Sequence, residues 1–168
     1  SLVTWSFIIM LLILMAVAKF SAFAGDPELL KMLDSMPPAL LDALSMRGFN
    51  LTTLSGFYGV MFIYFGLMSA IAAAMWGSDI ISKEERDKTV EFSLVLPVSR
   101  SRVLTAKALA ALVNCIAFVL ITWIVSFVAV QSYKPDQAFY DFLALEMQAM
   151  FAIELIFLSI GLLLGCGM

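Results

Sequence analysis

Four stretches of the chain are apolar for longer than a soluble helix needs: Leu2 to Phe20, Leu54 to Trp76, Val103 to Val130, and a last one from near Met147 to Met168. Each holds roughly 20 residues with almost no charge, the length that crosses about 30 Å of hydrocarbon as an α-helix. The pattern predicts an all-α, polytopic membrane bundle with about four spans, residues 1–168 forming a single transmembrane domain. The fourth stretch reaches Met168 while still apolar, so four spans is expected to be a lower bound.

The polar intervals between these runs are structured in their own way. After the first run, Pro27 stands at a helix-opening position behind Asp26, and Leu29, Leu30, Leu33 and Met36 recur at helical spacing. A second short helix is expected from Pro38, carrying Leu40, Leu41 and Leu44 and stopping at Gly48. These outer amphipathic helices, about 27–47, would lie in the membrane interface, either shielding the bundle from water or touching substrate. Inside the spans, small residues recur at helical spacing, Gly66 with Ala70 and Ala74 and Gly161 with Gly165, which lets helix backbones approach closely in lipid.

Composition agrees with the pattern and narrows the chemistry. Hydrophobic residues make up 62% of the chain and charged residues 14%, against roughly 45–50% and 25% in soluble domains. Once the spans are removed, no exposed basic face is left for nucleic acid. The chain has no histidine, hence neither the commonest general base nor the commonest metal ligand. Cys115 and Cys166 lie inside apolar runs without CxxC spacing and read as buried thiols. No catalytic group, cofactor site or metal site is therefore expected.

Charge then orients the protein. Six of the ten basic residues, Lys83, Arg86, Lys88, Arg100, Arg102 and Lys107, sit between the second and third runs. The interval 21–53 has only Lys31 and Arg47, and 131–146 only Lys134. The positive-inside rule places 82–107 in the cytoplasm and the other two intervals outside. Within the spans, Glu154, about seven residues into the fourth run, and Asn114 in the third form a possible intramembrane polar site. A plain hydrogen bond to a neighbouring helix explains Glu154 equally well, and Asn114 is the milder case, read as interhelical glue.

The cytoplasmic interval has a distinct grammar. Ser82-Lys83-Glu84-Glu85 has the S-x-x-E form of a capping box, predicting a helix that starts at Ser82. Its sequence turns apolar through Val90, Phe92, Leu94, Val95 and Leu96 and is broken at Pro97, after which Ser99 or Ser101 can cap the next helix. Charge on one side and large apolar groups on the other suit either a helix offered to a soluble partner or a plain interfacial helix.

The run EERDKTVEFSLVLPVSRSRVLTAK resembles the cytoplasmic segment of type-2 ATP-binding cassette (ABC) exporter permeases. In those proteins a Glu is followed by a Gly-Thr-Leu-Glu-like step, apolar residues, Pro-x-Ser-Arg and a later Lys. The matching positions are Glu85, Thr89, Glu91, Pro97, Ser99, Arg100 and Lys107, with Lys88 where a Gly is frequent. The resemblance implies a six-span permease of which this chain is a fragment, in the prokaryotic plasma membrane, working as a homo- or heterodimer. It also implies that the segment about 80–102 docks onto a separate cytoplasmic ATPase, with Glu85, Thr89, Glu91, Pro97, Ser99 and Arg100 as coupling residues. The chain has no GxxxxGK[ST] phosphate loop of its own, so ATP is expected to be used by the partner. The alternative is a self-sufficient channel or secondary transporter, which would need polar or charged groups lining a midplane site, where the first three spans offer only Asn114 and scattered Ser and Thr. An intramembrane enzyme ranks last, because its catalytic groups are hard to name.

Overall fold

A computed structural model describes residues 1–24, 27–43, 51–86 and 100–166. The described residues form helices and short turns with no strand. The helices are α1 (Leu2–Phe23), α2 (Pro27–Asp34), α3 (Pro38–Ala43), α4 (Leu54–Arg86), α5 (Arg100–Val130) and α6 (Gln137–Cys166), with a 3-10 turn at Gln131–Tyr133 before α6. Long apolar sequences must take this form in lipid, because only a helix satisfies its own backbone N–H and C=O groups there. Four segments are long and apolar enough to cross a membrane: Leu2–Ala22, Leu54–Asp79, Ser101–Tyr133 and Gln137–Gly165.

Two helix boundaries differ from those read in the sequence. α4 runs without a break through Ser82 to Arg86, so Ser82 lies inside a helix and does not cap one. Nothing between Trp76 and Arg86 stops a helix: Gly77 is tolerated because another helix packs against it, and no proline intervenes. With 33 residues α4 is about 50 Å long, well beyond the hydrocarbon thickness of about 30 Å. The second difference is at α6, which begins at Gln137 instead of near Met147. Lys134 adopts a left-handed conformation (φ 47°), Pro135 follows it, and the Asp136 carboxylate accepts a hydrogen bond from the Phe139 N–H at 3.1 Å. Asp136 therefore caps α6 and starts it ahead of the apolar run.

Each long helix turns one stripe inward. On α1 that stripe is Ile9, Ile13, Ala16 and Phe20, and on α6 it includes Phe139, Leu143, Met150 and Leu158. The outward faces carry large apolar side chains such as Val3, Leu109, Val113, Ile124, Val128 and Leu163, which suits a surface meeting acyl chains. At one end the bundle is clasped by aromatic groups. Phe20 packs against Phe57 and edge-on to Tyr133, with ring centres 5.3 and 5.2 Å apart, and the Tyr133 hydroxyl donates to the Val17 carbonyl at 3.1 Å. This clasp gathers the C-terminal ends of α1 and α5 with the N-terminal ends of α4 and α6.

The most extensive contact lies between the parallel helices α4 and α6. Towards the far end from the clasp their backbones touch. A Cβ on Gly77 would stand 2.6 Å from the Leu158 carbonyl oxygen and 2.8 Å from the Leu162 nitrogen, and one on Gly161 would collide with the Ala74 backbone. Gly66 is different: a Cβ there would meet only the tip of Ile153 at 3.5 Å. Of the small residues picked out by spacing, Gly161 is required for the crossing, and its counterpart is Gly77.

Candidate functional site

Two places on the chain could carry function, and they differ in kind. One is the charged interval that joins α4 to α5. Glu85 lies in the last turn of α4 and Arg100 opens α5; Thr89, Glu91, Pro97 and Ser99 lie outside the described residues. The long helix ending at Arg86 and the one starting at Arg100 leave the bundle at the same end, opposite the aromatic clasp. Two spans are thus tied directly to one polar interval.

The other place is inside the bundle. The buried stripe of α6 passes through Glu146 and Glu154, which are 5% and 0% exposed. Both carboxylates sit in the position a core residue would take, eight residues apart on one side of the helix and about 12 Å along its axis. Facing them, α5 contributes a buried stripe that includes Cys115, Thr122 and Ser126, and α4 contributes Tyr58 and Ser69.

The lower carboxylate is the better satisfied. Ser69 Oγ donates to Glu154 Oε1 at 3.1 Å, bridging α4 and α6, and the Cys115 thiol of α5 stands beside the same carboxyl. Glu154 Oε2 makes no hydrogen bond. The expected companion Asn114 is half-buried and makes no hydrogen bond among the described residues; it is its neighbour Cys115 that faces Glu154. Cys115 is a free, buried thiol.

The upper carboxylate has no such partner. Neither oxygen of Glu146 is hydrogen-bonded, and the hydroxyls of Tyr58 and Ser126, 1% and 0% exposed, face each other without closing a well-formed hydrogen bond. Tyr58 faces Ser126 and lies in the electrostatic field of Glu146, so the three groups share one region, one each from α4, α5 and α6. The Tyr58 ring is held there by Phe65 and by the edge of Phe139, at 5.6 and 5.7 Å. Other hydroxyls in these helices close bonds to their own backbone: Thr122 to the Phe118 carbonyl, Ser159 to Leu155 and Ser78 to Met75. That is the ordinary way for a hydroxyl to enter lipid. The buried Ser6 hydroxyl and Trp76 indole N–H are also without hydrogen bonds.

Glu146, Tyr58, Ser69 and Ser126 were not singled out in the sequence. Glu146 falls in the interval 131–146 when only uninterrupted apolar runs are counted. The signal that finds it is periodicity: Leu143, Glu146, Met150, Glu154, Leu158 and Gly161 follow the 3–4 residue step of one helix face. Among the described residues, no group of three or more His, Cys, Asp or Glu side chains could hold a metal ion.

Compared with known proteins, residues 1–166 match the family model described as ABC-2 family transporter protein. No curated protein and no solved structure matches the chain significantly.

Proposed function

Because the chain belongs to the ABC-2 transporter family, we propose that it is the permease subunit of an ATP-driven exporter, forming the translocation path for a substrate and coupled to a separate ATPase. It is an integral membrane protein, and members of this family are transport components that are not themselves catalytic and usually work with an ATPase partner. The observation that carries the reading is the agreement of that family match, which takes in nearly the whole chain, with the basic interval between α4 and α5.

Mechanically, a docking segment must pass movement to the spans. α4 extends well past the hydrocarbon before the interval starts, and α5 begins immediately after it. A push on this interval is expected to be passed to the two membrane helices that it joins, a shear of packed elements. In this reading the interval between α4 and α5 is cytoplasmic, the connections from α1 to α4 and from α5 to α6 are external, and the permease acts in pairs. Retention of a cassette ATPase through purification of the full-length protein tests the partnership. Loss of that retention on replacing Glu91 or Arg100, with membrane insertion intact, is expected.

A second reading has one observation in its favour. The buried Glu146 and Glu154 supply the intramembrane charge that a self-sufficient channel or secondary transporter needs. Ion flux through the purified protein without nucleotide would establish that reading and displace the first.

A further inference from the structure

We propose that Glu146, Tyr58 and Ser126 form a binding site for one small monovalent alkali cation between α4, α5 and α6. The site stands whether or not the protein is coupled to an ATPase, since it concerns binding and not transport.

The argument starts from what is left unpaired. Buried polar groups in folded proteins are nearly always hydrogen-bonded, and an orphan calls for a specific occupant. Here the orphans come together: both oxygens of Glu146 and the hydroxyls of Tyr58 and Ser126, each side chain at least nine-tenths buried. A single unbonded group, such as the Ser6 hydroxyl, points to no ligand by itself. Three side chains come from three helices: the Tyr58 and Ser126 hydroxyls face each other without closing a well-formed hydrogen bond, Tyr58 lies in the field of Glu146, and both Glu146 oxygens are left without a donor.

The chemistry of the set selects the ligand. All the available atoms are oxygens, which suits hard cations over transition metals. One carboxylate balances one positive charge, whereas a divalent ion would want more. The next acid, Glu154, is about 12 Å away along α6 and already accepts from Ser69. The site lies near the clasped end: Tyr58 is one turn from the start of α4 and Ser126 one turn from the end of α5. Beyond them Phe139 and Val130 are buried, so an ion there would be closed off by apolar groups.

The test is thermal unfolding of the purified full chain in detergent, titrated with NaCl or KCl against choline chloride at constant ionic strength. The midpoint should rise with alkali salt and not with choline, because a ligand that binds only the folded state raises its stability. Glu146→Gln should abolish the rise, and Tyr58→Phe and Ser126→Ala, which preserve shape, should each weaken the apparent affinity about tenfold. Ser159→Ala, whose hydroxyl bonds its own helix, should respond as the unmodified protein does. Equal effects of alkali and choline salts on the unmodified protein would overturn the proposal, as would an undiminished alkali response in Tyr58→Phe and Ser126→Ala. A response to pH alone would also overturn it, leaving Glu146 as a proton acceptor only.

Discussion

Glu146 and Glu154 are the same residue type on the same face of one helix, both removed from solvent, and they have been treated differently by the surrounding fold. Glu154 lies near the backbone-to-backbone crossing of α4 and α6, where close approach brings Ser69 within hydrogen-bonding distance. Glu146 lies towards the clasped end, where Tyr58, Phe65 and Phe139 fill the space with rings and the hydroxyls stay unbonded. A buried acid costs stability unless paired, so the first reads as a fastening and the second as an acid left without a donor. Helix separation, set by glycine at one end and aromatics at the other, decides which is which.

The comparison breaks most severely if the crossing is pushed apart. Gly161→Val puts side-chain atoms into the Ala74 backbone and should cost about 3 kcal/mol or more, seen as a large drop in thermal midpoint in detergent. Gly66→Ala, which meets only a flexible Ile153 tip at 3.5 Å, should stay within about 0.5 kcal/mol. Equal behaviour of the two would mean that the crossing does not set the helix spacing.

A smaller effect separates the two acids. Ser69→Ala removes the donor to Glu154 and leaves an acid oxygen buried without it, a loss of about 1–3 kcal/mol. Ser126→Ala, measured in choline salt, removes a hydroxyl that has no hydrogen bond and should cost less than about 0.5 kcal/mol. Should Ser126→Ala prove the more damaging, the upper region is a closed network after all. The smallest sharpening concerns how α6 is placed. Asp136→Ala deletes its cap and should cost about 1 kcal/mol, read as fraying of the first turn by hydrogen exchange.

Much of this architecture was legible in the chain. The long apolar runs announced the membrane helices, and Pro27 and Pro38 marked the starts of α2 and α3. What the linear reading hid followed from counting runs where faces mattered. Glu146 interrupts no helix; it interrupts only a string of apolar letters, and Asp136 had already started α6 ten residues upstream. Ser82 shows the converse error: S-x-x-E favours a helix start only where the preceding residues are free to leave the helix, and here α4 simply continues. The second apolar run ends at Trp76, one residue short of Gly77, whose role appears only when α6 is laid against it. Pairings such as Ser69 with Glu154 depend on the register between α4 and α6, which no single-helix pattern encodes.

The central claim, that this permease is worked by a separate ATPase through the interval between α4 and α5, is tested most directly by that ATPase's turnover. With the full-length protein reconstituted in lipid, addition of the partner ATPase should give a hydrolysis rate different from that of the ATPase alone, and Glu91→Ala should return it to the uncoupled value. An ATPase rate indifferent to the presence of the chain would contradict the account.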